Sequence, residues 1–311
     1  MTARLAILCP GQGRQHPGMF DVLGLSFDVQ TLLEQWSMQE RLPMPLATVL
    51  ANETLLFSNR LAQPLIVAAT LSVWERLKHA LPAPTVVLGY SVGELSAYAV
   101  AGAIAPAATL TLADIRAQLM DASAQSSPPQ ALLAVTGLDL KRTGDTAARA
   151  GISVAIETGH DSAVVGGLRE DVQKYAVQLA QDGVRTVMLP VGVASHTPLM
   201  NAAVTPFLEA LGKHRLSDPA IPVVAGLTGA TIRNGDEASC MLARQISETI
   251  RWKDCMDTCA EAGITVALEL GPGSALARML HGAHPHIECR SIDDFRSVEG
   301  VVRWIGRHFD Q

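Results

Sequence analysis

Short apolar runs alternate with longer stretches of helical periodicity along most of this chain. The runs Leu5–Cys9, Val86–Gly89, 222–227 and 265–270 are continuously hydrophobic, which is typical of strands buried on both faces. Between them, apolar residues recur every three or four positions, most clearly in 63–77, and this period predicts amphipathic helices. The pattern therefore predicts an α/β domain in which a mostly parallel sheet is covered by helices on both faces.

The pattern changes after a polar linker with two prolines at 123–130. From there to residue 191, apolar runs and helical stretches follow the order β-α-β-β-α-β, which is the ferredoxin-like arrangement. We expect an inserted α+β subdomain at 128–191, within a large domain formed by 1–127 and 192–311. The edge of this insert is expected to form one wall of a cleft.

Composition narrows the class of protein. Of the 311 residues, 48% are hydrophobic and 17% are charged, which is typical of a globular chain with a large core. A net charge of -6 argues against nucleic acid or an anionic membrane as the main partner, because both bind basic surfaces. The five cysteines form no Cys-x-x-Cys pair, which indicates reduced thiols and a cytoplasmic protein.

Two segments have some features of a targeting or membrane element. The apolar run near the N-terminus, Leu5–Cys9, is too short for the core of a signal peptide. The stretch 95–113 carries no charged residue, but Pro106 falls near its middle and would break a membrane-spanning helix. We therefore expect two buried helices there.

A serine lies between two glycines directly after the second apolar run. Gly89, Ser91 and Gly93 form a Gly-x-Ser-x-Gly pattern that leads straight into a helix rich in alanine and leucine. This strand-turn-helix context is typical of a nucleophile elbow, where side chains two positions either side of the serine would collide. The helix N-terminus also favours negative charge on a nearby oxygen. We expect an acyl-transfer centre at Ser91; the alternative is a tight turn with a capping serine.

A serine nucleophile needs a base, which is most often histidine. Of the nine histidines, His196 follows a predicted strand, lies between small residues and precedes Pro198 by two positions. A lone histidine at such a position can also be structural, so its position leaves both interpretations open. His281, His284 and His286 cluster in a loop rich in glycine and proline, but no thiol or carboxylate is spaced to complete a metal site. We expect a solvated turn there and no metal.

One cation lies among otherwise uncharged neighbours. Arg116 is on a predicted helix, 25 residues after Ser91. A buried arginine pairs either with an internal carboxylate or with one from a ligand, and composition favours the internal pair. The loop after the first strand contains Gly11 and Gly13, which let backbone approach a ligand; a surface turn is the alternative. A phosphate cradle is disfavoured, because the loop has neither a Walker lysine nor Gly-x-Gly-x-x-Gly.

Together these segments resemble the malonyl-CoA:acyl carrier protein transacylases. The matching segments follow the family's order over nearly the whole chain: Pro10-Gly11-Gln12-Gly13, Gly89-Tyr90-Ser91-Val92-Gly93-Glu94, Arg116, Ser195-His196 and Gly271-Pro272-Gly273. The resemblance implies an α/β-hydrolase-like domain with a ferredoxin-like insert, in agreement with the hydrophobic pattern. It also implies an S-malonyltransferase that takes its acyl group from malonyl-CoA.

The resemblance assigns the reaction centre to four residues. It implies that Ser91 is the nucleophile and His196 its general base. Gln12 and Val92 are then expected to supply the backbone N–H groups of the oxyanion hole. The acceptor is expected to be the phosphopantetheine-type thiol of an acyl carrier protein, and no metal or redox cofactor is implied.

Two further residues receive roles in the same way. Arg116 is expected to bind the free carboxylate of the malonyl group, because a bidentate arginine distinguishes a carboxylated acyl group from acetyl. Gln245 matches the position whose backbone carbonyl orients the histidine in place of a triad acid. Such a carbonyl still fixes the imidazole tautomer, with an N–H facing it.

Three positions depart from the fatty-acid enzymes of this family. Tyr90 stands where most have histidine, Arg14 where most have serine, and 159–162 replaces an Asn-x-Pro segment. The form Gly-Tyr-Ser-Val-Gly-Glu, with Cys-Pro-Gly-Gln-Gly near the start, is more similar to the malonyltransferase (epsilon) subunit of bacterial malonate decarboxylase. This similarity implies that the acceptor is the carrier subunit of that complex and that other decarboxylase subunits are further partners.

Three other functions stay open. The first is a transacylase of fatty-acid or polyketide synthesis. The second is a serine carboxylesterase or thioesterase, which would use the same elbow with water as acceptor, and the third is a non-catalytic scaffold subunit. Arg116 discriminates against a general esterase, which has no use for a buried cation facing the acyl group.

Overall fold

The apolar runs pair into two sheets in the computed structural model, which describes residues 3–24 and 26–309. The strands, in chain order, are β1 (Leu5–Cys9), β2 (Val86–Gly89), β3 (Gln130–Thr136), β4 (Ser153–Glu157), β5 (Ser162–Leu168), β6 (Arg185–Met188), β7 (Val223–Val224), β8 (Thr231–Ile232), β9 (Val266–Glu269) and β10 (Glu288–Ser291).

Helices connect these strands. They are α1 (Ser26–Gln35), α2 (Leu46–Ala51), α3 (Glu53–Phe57), α4 (Asn59–Leu77), α5 (Gly93–Val100), α6 (Pro106–Gln125), α7 (Leu140–Arg149), α8 (Arg169–Gln181), α9 (Asn201–His214), α10 (Gly235–Arg244), α11 (Trp252–Glu261), α12 (Ala275–Ala283) and α13 (Val298–Phe309). Short 3₁₀ turns lie at Val22–Gly24, Gln39–Arg41, Pro198–Met200 and Ile292–Asp294. None of the helices in the described residues combines the length and hydrophobicity that crossing a membrane requires.

The larger sheet has the order β10-β9-β1-β2-β7-β8, and every pair is parallel except β7 with β8. Alternate residues of β1 enter different cores: Leu5 and Ile7 pack on one face, Ala6 and Leu8 on the other. Both faces are therefore covered, which explains why the run is continuously apolar. The carboxyl ends of β1 and β2 lie side by side, so the loops that follow these two strands meet.

The smaller sheet is antiparallel, with the order β4-β5-β3-β6. Its core is formed by strand residues and by apolar residues of α7 and α8, such as Ala147, Val172 and Tyr175. This order of strands and helices is the predicted ferredoxin-like arrangement. The exact boundaries 128–191 stay a prediction, since the strands of the insert span 130–188.

The insert shares backbone hydrogen bonds and core with the large domain. Ile250 N donates to Ala155 O over 3.0 Å, and Glu157 N donates to Ile250 O over 2.8 Å. Leu132 and Ile156 of the insert pack in the same core as β1 residues and α11. The two domains therefore meet along a packed wall, beside the carboxyl ends of β1 and β2.

Some predicted elements differ in length from the observed ones. The predicted strand 222–227 is only the two-residue β7, which turns back into β8, and the closing strand 184–191 is shortened to β6. The helical pattern 238–262 is divided into α10 and α11, as the interruption near residue 250 indicated. The edge strand β10 was not predicted, because its mixed residues show no clear alternation.

Candidate active site

Ser91 lies in the turn between β2 and α5, in a strained backbone conformation with φ 55°. A Cβ on Gly89 would lie 2.3 Å from the backbone of Glu94, and a Cβ on Gly93 would lie 2.2 Å from the carbonyl oxygen of Cys9. Neither contact is possible for a real side chain, so both positions require glycine. The predicted collision on either side of the serine is thereby confirmed, and the turn has the geometry of a nucleophile elbow.

His196 reaches this serine from the loop that follows β6. Its Nε2 lies 2.8 Å from Ser91 Oγ, and its Nδ1 lies 2.5 Å from the backbone oxygen of Gln245. A carbonyl oxygen only accepts, so Nδ1 carries the proton and Nε2 is free to accept from the serine hydroxyl. The backbone N–H of His196 also donates to Ile246 O over 2.8 Å, which fixes the histidine to the segment after α10.

Burial controls the charge of this histidine. The side chain is 1% exposed, and burial, with the nearby positive charge of Arg116, lowers the pKa of His196 to about 3. The imidazole is therefore neutral at neutral pH, which is the form that can accept a proton. No carboxylate in the described residues contacts the ring, and the Gln245 carbonyl occupies the place of a triad acid.

Two backbone N–H groups lie beside the elbow without an acceptor. Neither Gln12 N nor Val92 N makes a hydrogen bond within residues 3–24 and 26–309. The loop that carries Gln12 is pressed against the elbow, since a Cβ on Gly11 would lie 2.5 Å from Tyr90 O. Free N–H donors next to a nucleophile are what an oxyanion hole requires.

Arg116 lies on α6 and is 2% exposed. Its Nη1 donates to Gln63 Oε1 over 2.7 Å and its Nη2 to Gln245 Oε1 over 3.4 Å. The direct ion pair favoured by composition is not formed, because the structure places no carboxylate of the described residues within 4.0 Å of this guanidinium. Two neutral amide oxygens stand in its place, and burial lowers the pKa of Arg116 to about 10, so it stays charged.

The sequence interpretation missed a buried acid next to this arginine. Glu94 has no exposed surface, and burial raises its pKa to about 7. Its Oε2 accepts from Gly226 N over 3.0 Å and from Gln245 Nε2. A signal for it was available: Glu94 is the only charged residue of the apolar helix after the serine, just as Arg116 stood out among apolar neighbours.

A cavity of about 560 Å³ opens between the two domains and contains the reactive pair. Its lining includes Ser91 and His196 from the large domain and Leu132, Val164 and Met188 from the insert. The insert therefore forms one wall of the cavity, but with residues of the central strands β3 and β5 as well as of the edge strand β6, and not with its edge alone as predicted. Arg116 and Gln245 are not among the residues that line this cavity; Gln245 is bonded to His196, and Arg116 is bonded in turn to Gln245.

Two of the three positions that depart from the fatty-acid enzymes, Tyr90 and Arg14, line this cavity, and residues 159–162 do not. Tyr90 lines it and packs edge-on against Trp252, with ring centroids 5.2 Å apart. Arg14 lines the mouth and is exposed, and a Cβ on Gly273 would touch its side chain at 2.5 Å. Both side chains are thus placed to meet a ligand that enters the cavity.

The predicted loop of His281, His284 and His286 begins later than expected, because His281 lies in the last turn of α12. Two of these histidines make contacts within the protein. His281 Nδ1 lies 2.9 Å from Ile287 O, and His284 Nε2 lies 3.0 Å from the carboxylate of Asp257. That carboxylate comes from α11, so spacing along the chain could not reveal it. In the part of the chain that the structure describes, no three potential ligands gather into a metal site.

Known proteins are similar to this chain in sequence and in structure. The Spectinabilin polyketide synthase system protein NorB of Streptomyces orinoci is 33% identical over 88% of this chain, which spans 13% of NorB. The malonyl CoA-acyl carrier protein transacylase of Haemophilus influenzae is 25% identical over 97% of this chain and 99% of that protein. The solved malonyl CoA-acyl carrier protein transacylase of Coxiella burnetii has a TM-score of 0.90 and 25% identity, with 99% of each chain covered.

The chain thus spans a small part of the polyketide synthase protein and nearly all of the two transacylases. The mixed α/β fold with a parallel sheet and a second small sheet agrees with that of the solved transacylases. Residues 7–301 match the family described as the acyl transferase domain, and this chain belongs to that family.

Proposed function

We propose that this protein is an acyltransferase that moves a malonyl group from malonyl-CoA to the thiol of an acyl carrier protein, through a malonyl ester on Ser91. One observation carries the proposal: the Ser91–His196 pair, joined at 2.8 Å, is linked through Gln245 to a buried arginine that has no ion-pair partner in the described residues. Its relatives include proteins named malonyl CoA-acyl carrier protein transacylase. The fold and the family membership support the same chemistry.

In the first half-reaction, His196 Nε2 accepts the proton of Ser91 Oγ while that oxygen attacks the thioester carbonyl carbon. The negative charge that forms on the carbonyl oxygen is stabilised by the free N–H groups of Gln12 and Val92. The carbon–sulfur bond then breaks, and the CoA sulfur leaves with the proton held by His196. The products are CoA and the malonyl ester of Ser91.

The second half-reaction reverses these roles. The carrier thiol gives its proton to His196, and its sulfur attacks the ester carbonyl. Collapse of the tetrahedral intermediate returns the proton to Ser91 Oγ and releases malonyl-carrier. The chemistry uses only this dyad and the N–H donors, so we propose no metal or redox cofactor.

Arg116 is proposed to select the malonyl group. Its guanidinium faces two neutral amide oxygens, one of them at the long distance of 3.4 Å. A malonyl carboxylate offers a charged, bidentate partner in exchange for that weak contact. An acetyl group offers none, so the buried charge stays uncompensated when acetyl is bound.

We further propose that the acceptor is the carrier subunit of a malonate decarboxylase and that other decarboxylase subunits are partners. Tyr90, in place of the histidine of the fatty-acid enzymes, supports this assignment, as does Arg14 at the mouth of the cavity. A carrier of fatty-acid or polyketide synthesis is the alternative, and the relatives of this chain include a polyketide synthase system protein and a malonyl CoA-acyl carrier protein transacylase. All five cysteines are free thiols, which supports a reducing compartment, and we propose the cytoplasm.

Intact-mass spectrometry tests the proposal. Wild-type protein incubated with malonyl-CoA is expected to gain the mass of one malonyl group, and Ser91→Ala is expected to gain none. Holo carrier proteins of the two kinds are then added separately, with water alone as the control. We expect the decarboxylase carrier to discharge the adduct fastest.

Each contrary outcome has a defined meaning. Faster discharge by the fatty-acid carrier assigns the protein to that pathway. Rapid hydrolysis with no effect of either carrier means an esterase or thioesterase and refutes transfer. An adduct that persists on Ser91→Ala refutes Ser91 as the nucleophile.

A further inference from the structure

Glu94 is buried beside the reactive pair, and the mechanism above does not use it. The residue lies three positions after Ser91, in the first turn of α5, and has no exposed surface. Its Oε2 accepts two hydrogen bonds, from Gly226 N over 3.0 Å and from Gln245 Nε2, while its Oε1 has no partner in the described residues. A carboxylate held in this way costs folding free energy, so its presence calls for an explanation.

Gln245 connects this carboxylate to both functional groups. Its backbone oxygen accepts from His196 Nδ1, its side-chain Oε1 accepts from Arg116 Nη2, and its Nε2 donates to Glu94. The orientation of the amide is fixed by its two different neighbours, because a cation needs the oxygen and a carboxylate needs the N–H. Glu94 therefore determines which way Gln245 presents its oxygen to Arg116.

The backbone at Gly226 makes this contact possible. A Cβ on Gly226 would lie 2.9 Å from Glu94 Oε2 and 3.3 Å from Gln245 Nε2. A larger residue would push the carboxylate away from the amide. The close approach indicates that the fold holds Glu94 and Gln245 together in one arrangement.

The charges explain why a carboxylate is used here. When His196 accepts the serine proton it becomes a second cation near Arg116, whose charge already opposes protonation of the ring. Arg116 and Glu94 also act on each other through their opposite charges. The positive charge of Arg116 offsets part of the rise that burial causes in the pKa of Glu94, and the negative charge of Glu94 offsets part of the fall in the pKa of Arg116. An ionised Glu94 offsets the positive charge that builds up as Ser91 is acylated.

We propose that Glu94 is a positioning residue of this site: through the Gln245 side chain it orients the groups that serve His196 and Arg116, and its negative charge offsets the cation that forms on His196 during acyl transfer. The part that concerns Arg116 rests on the proposed function. The part that concerns His196 applies to any acylation of Ser91. Glu94 itself contacts neither the substrate nor the reacting atoms.

Acylation should then depend on the ionisation of Glu94. Burial raises the pKa of Glu94 to about 7, so its charge is lost as the pH falls below neutral. The groups that face it keep one state between pH 5 and 8: Arg116 stays charged, burial keeps Tyr98 and Cys255 protonated, and His196, with a pKa of about 3, stays neutral. The acylation rate of the wild type is therefore expected to rise through pH 7.

Glu94→Gln tests this charge while keeping the shape of the side chain and one acceptor oxygen. We expect kcat for malonyl transfer to fall about tenfold at pH 8, with KM for malonyl-CoA unchanged or lower, since Arg116 loses a competing anion. The rise of the rate between pH 6 and 8 should disappear. A purely structural role would instead raise KM, or lower stability, and leave the pH profile in place.

Two more variants separate position from charge. Gln245→Met keeps the backbone oxygen that binds His196 and removes the amide between Glu94 and Arg116. The losses of kcat in Gln245→Met and in Glu94→Gln should be strongly non-additive in the double variant, because both substitutions break the same hydrogen-bond network. Glu237→Gln removes a carboxylate from an exposed position of α10 and serves as the control, with an unchanged pH profile expected.

Reaction of each variant with p-nitrophenyl acetate keeps this test independent of the proposed function. The ester acylates Ser91 without CoA, so the Glu94 effect on His196 can be measured even if malonyl transfer proves wrong. Failure of the proposed function appears as no malonyl adduct on the wild type. Failure of the Glu94 inference appears as a Glu94→Gln variant whose ester rate, kcat and pH profile stay within about twofold of the wild type.

Equal losses in Glu94→Gln and Glu237→Gln also overturn the inference, since a general charge effect then explains both. If Glu94→Gln does not fold, Gln245→Met decides the question alone. The inference then requires a lower kcat and a weakened pH dependence in a variant that melts like the wild type. Wild-type kinetics in Gln245→Met refute it.

Discussion

The groups that hydrogen-bond to Arg116 are neutral, although its guanidinium is charged and buried. The side chain is almost fully buried, yet its two hydrogen-bond partners are the amide oxygens of Gln63 and Gln245, which carry no charge. Gln63 is in turn held by Asn59, whose amide bonds to Asp121 on the far side. The guanidinium is thus oriented by neutral groups and has no ion-pair partner in the described residues, which is what the proposed binding of a malonyl carboxylate requires.

Arg116→Ala should therefore change substrate selection. We expect malonyl transfer to fall by about a hundredfold or more and acetyl transfer by less than about tenfold, because only the malonyl carboxylate loses a partner. Intact-mass acylation rates with malonyl-CoA and acetyl-CoA measure the ratio. Arg60→Ala is the control, since it removes a half-exposed arginine that pairs with Asp114 on the same helix α6. Equal losses for both acyl groups in Arg116→Ala mean that Arg116 is structural.

A candidate functional residue could be predicted where its immediate neighbours in the sequence identify it. Ser91 follows from the glycines on either side of it, and His196 stood out by its place after a strand. Glu94 and Gln245 are 151 positions apart, and no periodicity along the chain links them. Composition favoured a carboxylate partner for Arg116, because composition shows that a buried charge needs a partner but does not show which residues lie near it. Gln63 and Gln245 become its partners only when α4 and the segment after α10 pack against α6.

The turn from β2 to α5 depends on two glycines whose neighbours are backbone atoms. Backbone cannot swing aside as a flexible side chain can, so extra atoms at these positions must distort β1 or the helix. At Gly93 the nearest atoms are the carbonyl oxygens of Cys9 and Pro10, at 2.2 and 2.6 Å from a built Cβ. The elbow therefore packs directly against the backbone at the end of β1, the strand that precedes the Gln12 loop.

Gly93→Ala should destabilise the fold by about 1–3 kcal/mol or more and abolish acylation, because Ser91 and the N–H of Val92 shift together. Gly144→Ala is the matched control: it lies within α7, and a Cβ there meets nothing within 4 Å. We expect that control to stabilise the protein by about 0.5–1 kcal/mol. Thermal unfolding and ester acylation measure both effects. Wild-type acylation by Gly93→Ala would show that the elbow tolerates a side chain.

Strands and helices were predictable from their own residues to different extents. The helix 63–77 was placed nearly correctly, because many residues contribute to one periodic face; α4 only begins earlier, at Asn59. The strands β7 and β8 have two residues each, and such short strands exist only through their partners. Their detection requires the tertiary structure, since β-propensity depends on the neighbours in the sheet.

The two domains are joined by more than the two linkers. Gln130 connects the linkers, since its Oε1 accepts from Ala194 N over 2.7 Å and its Nε2 donates to Ser127 Oγ over 2.7 Å. Strand β4 of the insert exchanges backbone hydrogen bonds with Ile250 of the large domain. The cavity that holds Ser91 is formed between these domains, so its shape depends on how firmly they are attached.

A shared core predicts that the whole chain unfolds as one unit. Ile156 is 5% exposed on β4 and belongs to the same hydrophobic core as Leu8 and Trp252 of the large domain. Ile156→Ala is expected to lower the free energy of unfolding by about 2–5 kcal/mol. Differential scanning calorimetry should still show a single transition, because the lost packing destabilises both domains together. Val177→Ala, at a position of α8 that is 61% exposed, should change stability by less than about 0.5 kcal/mol. Two separate transitions in the wild type, or an Ile156→Ala variant in which only one part melts earlier, would mean that the insert folds independently and that the cleft can open as the two domains move.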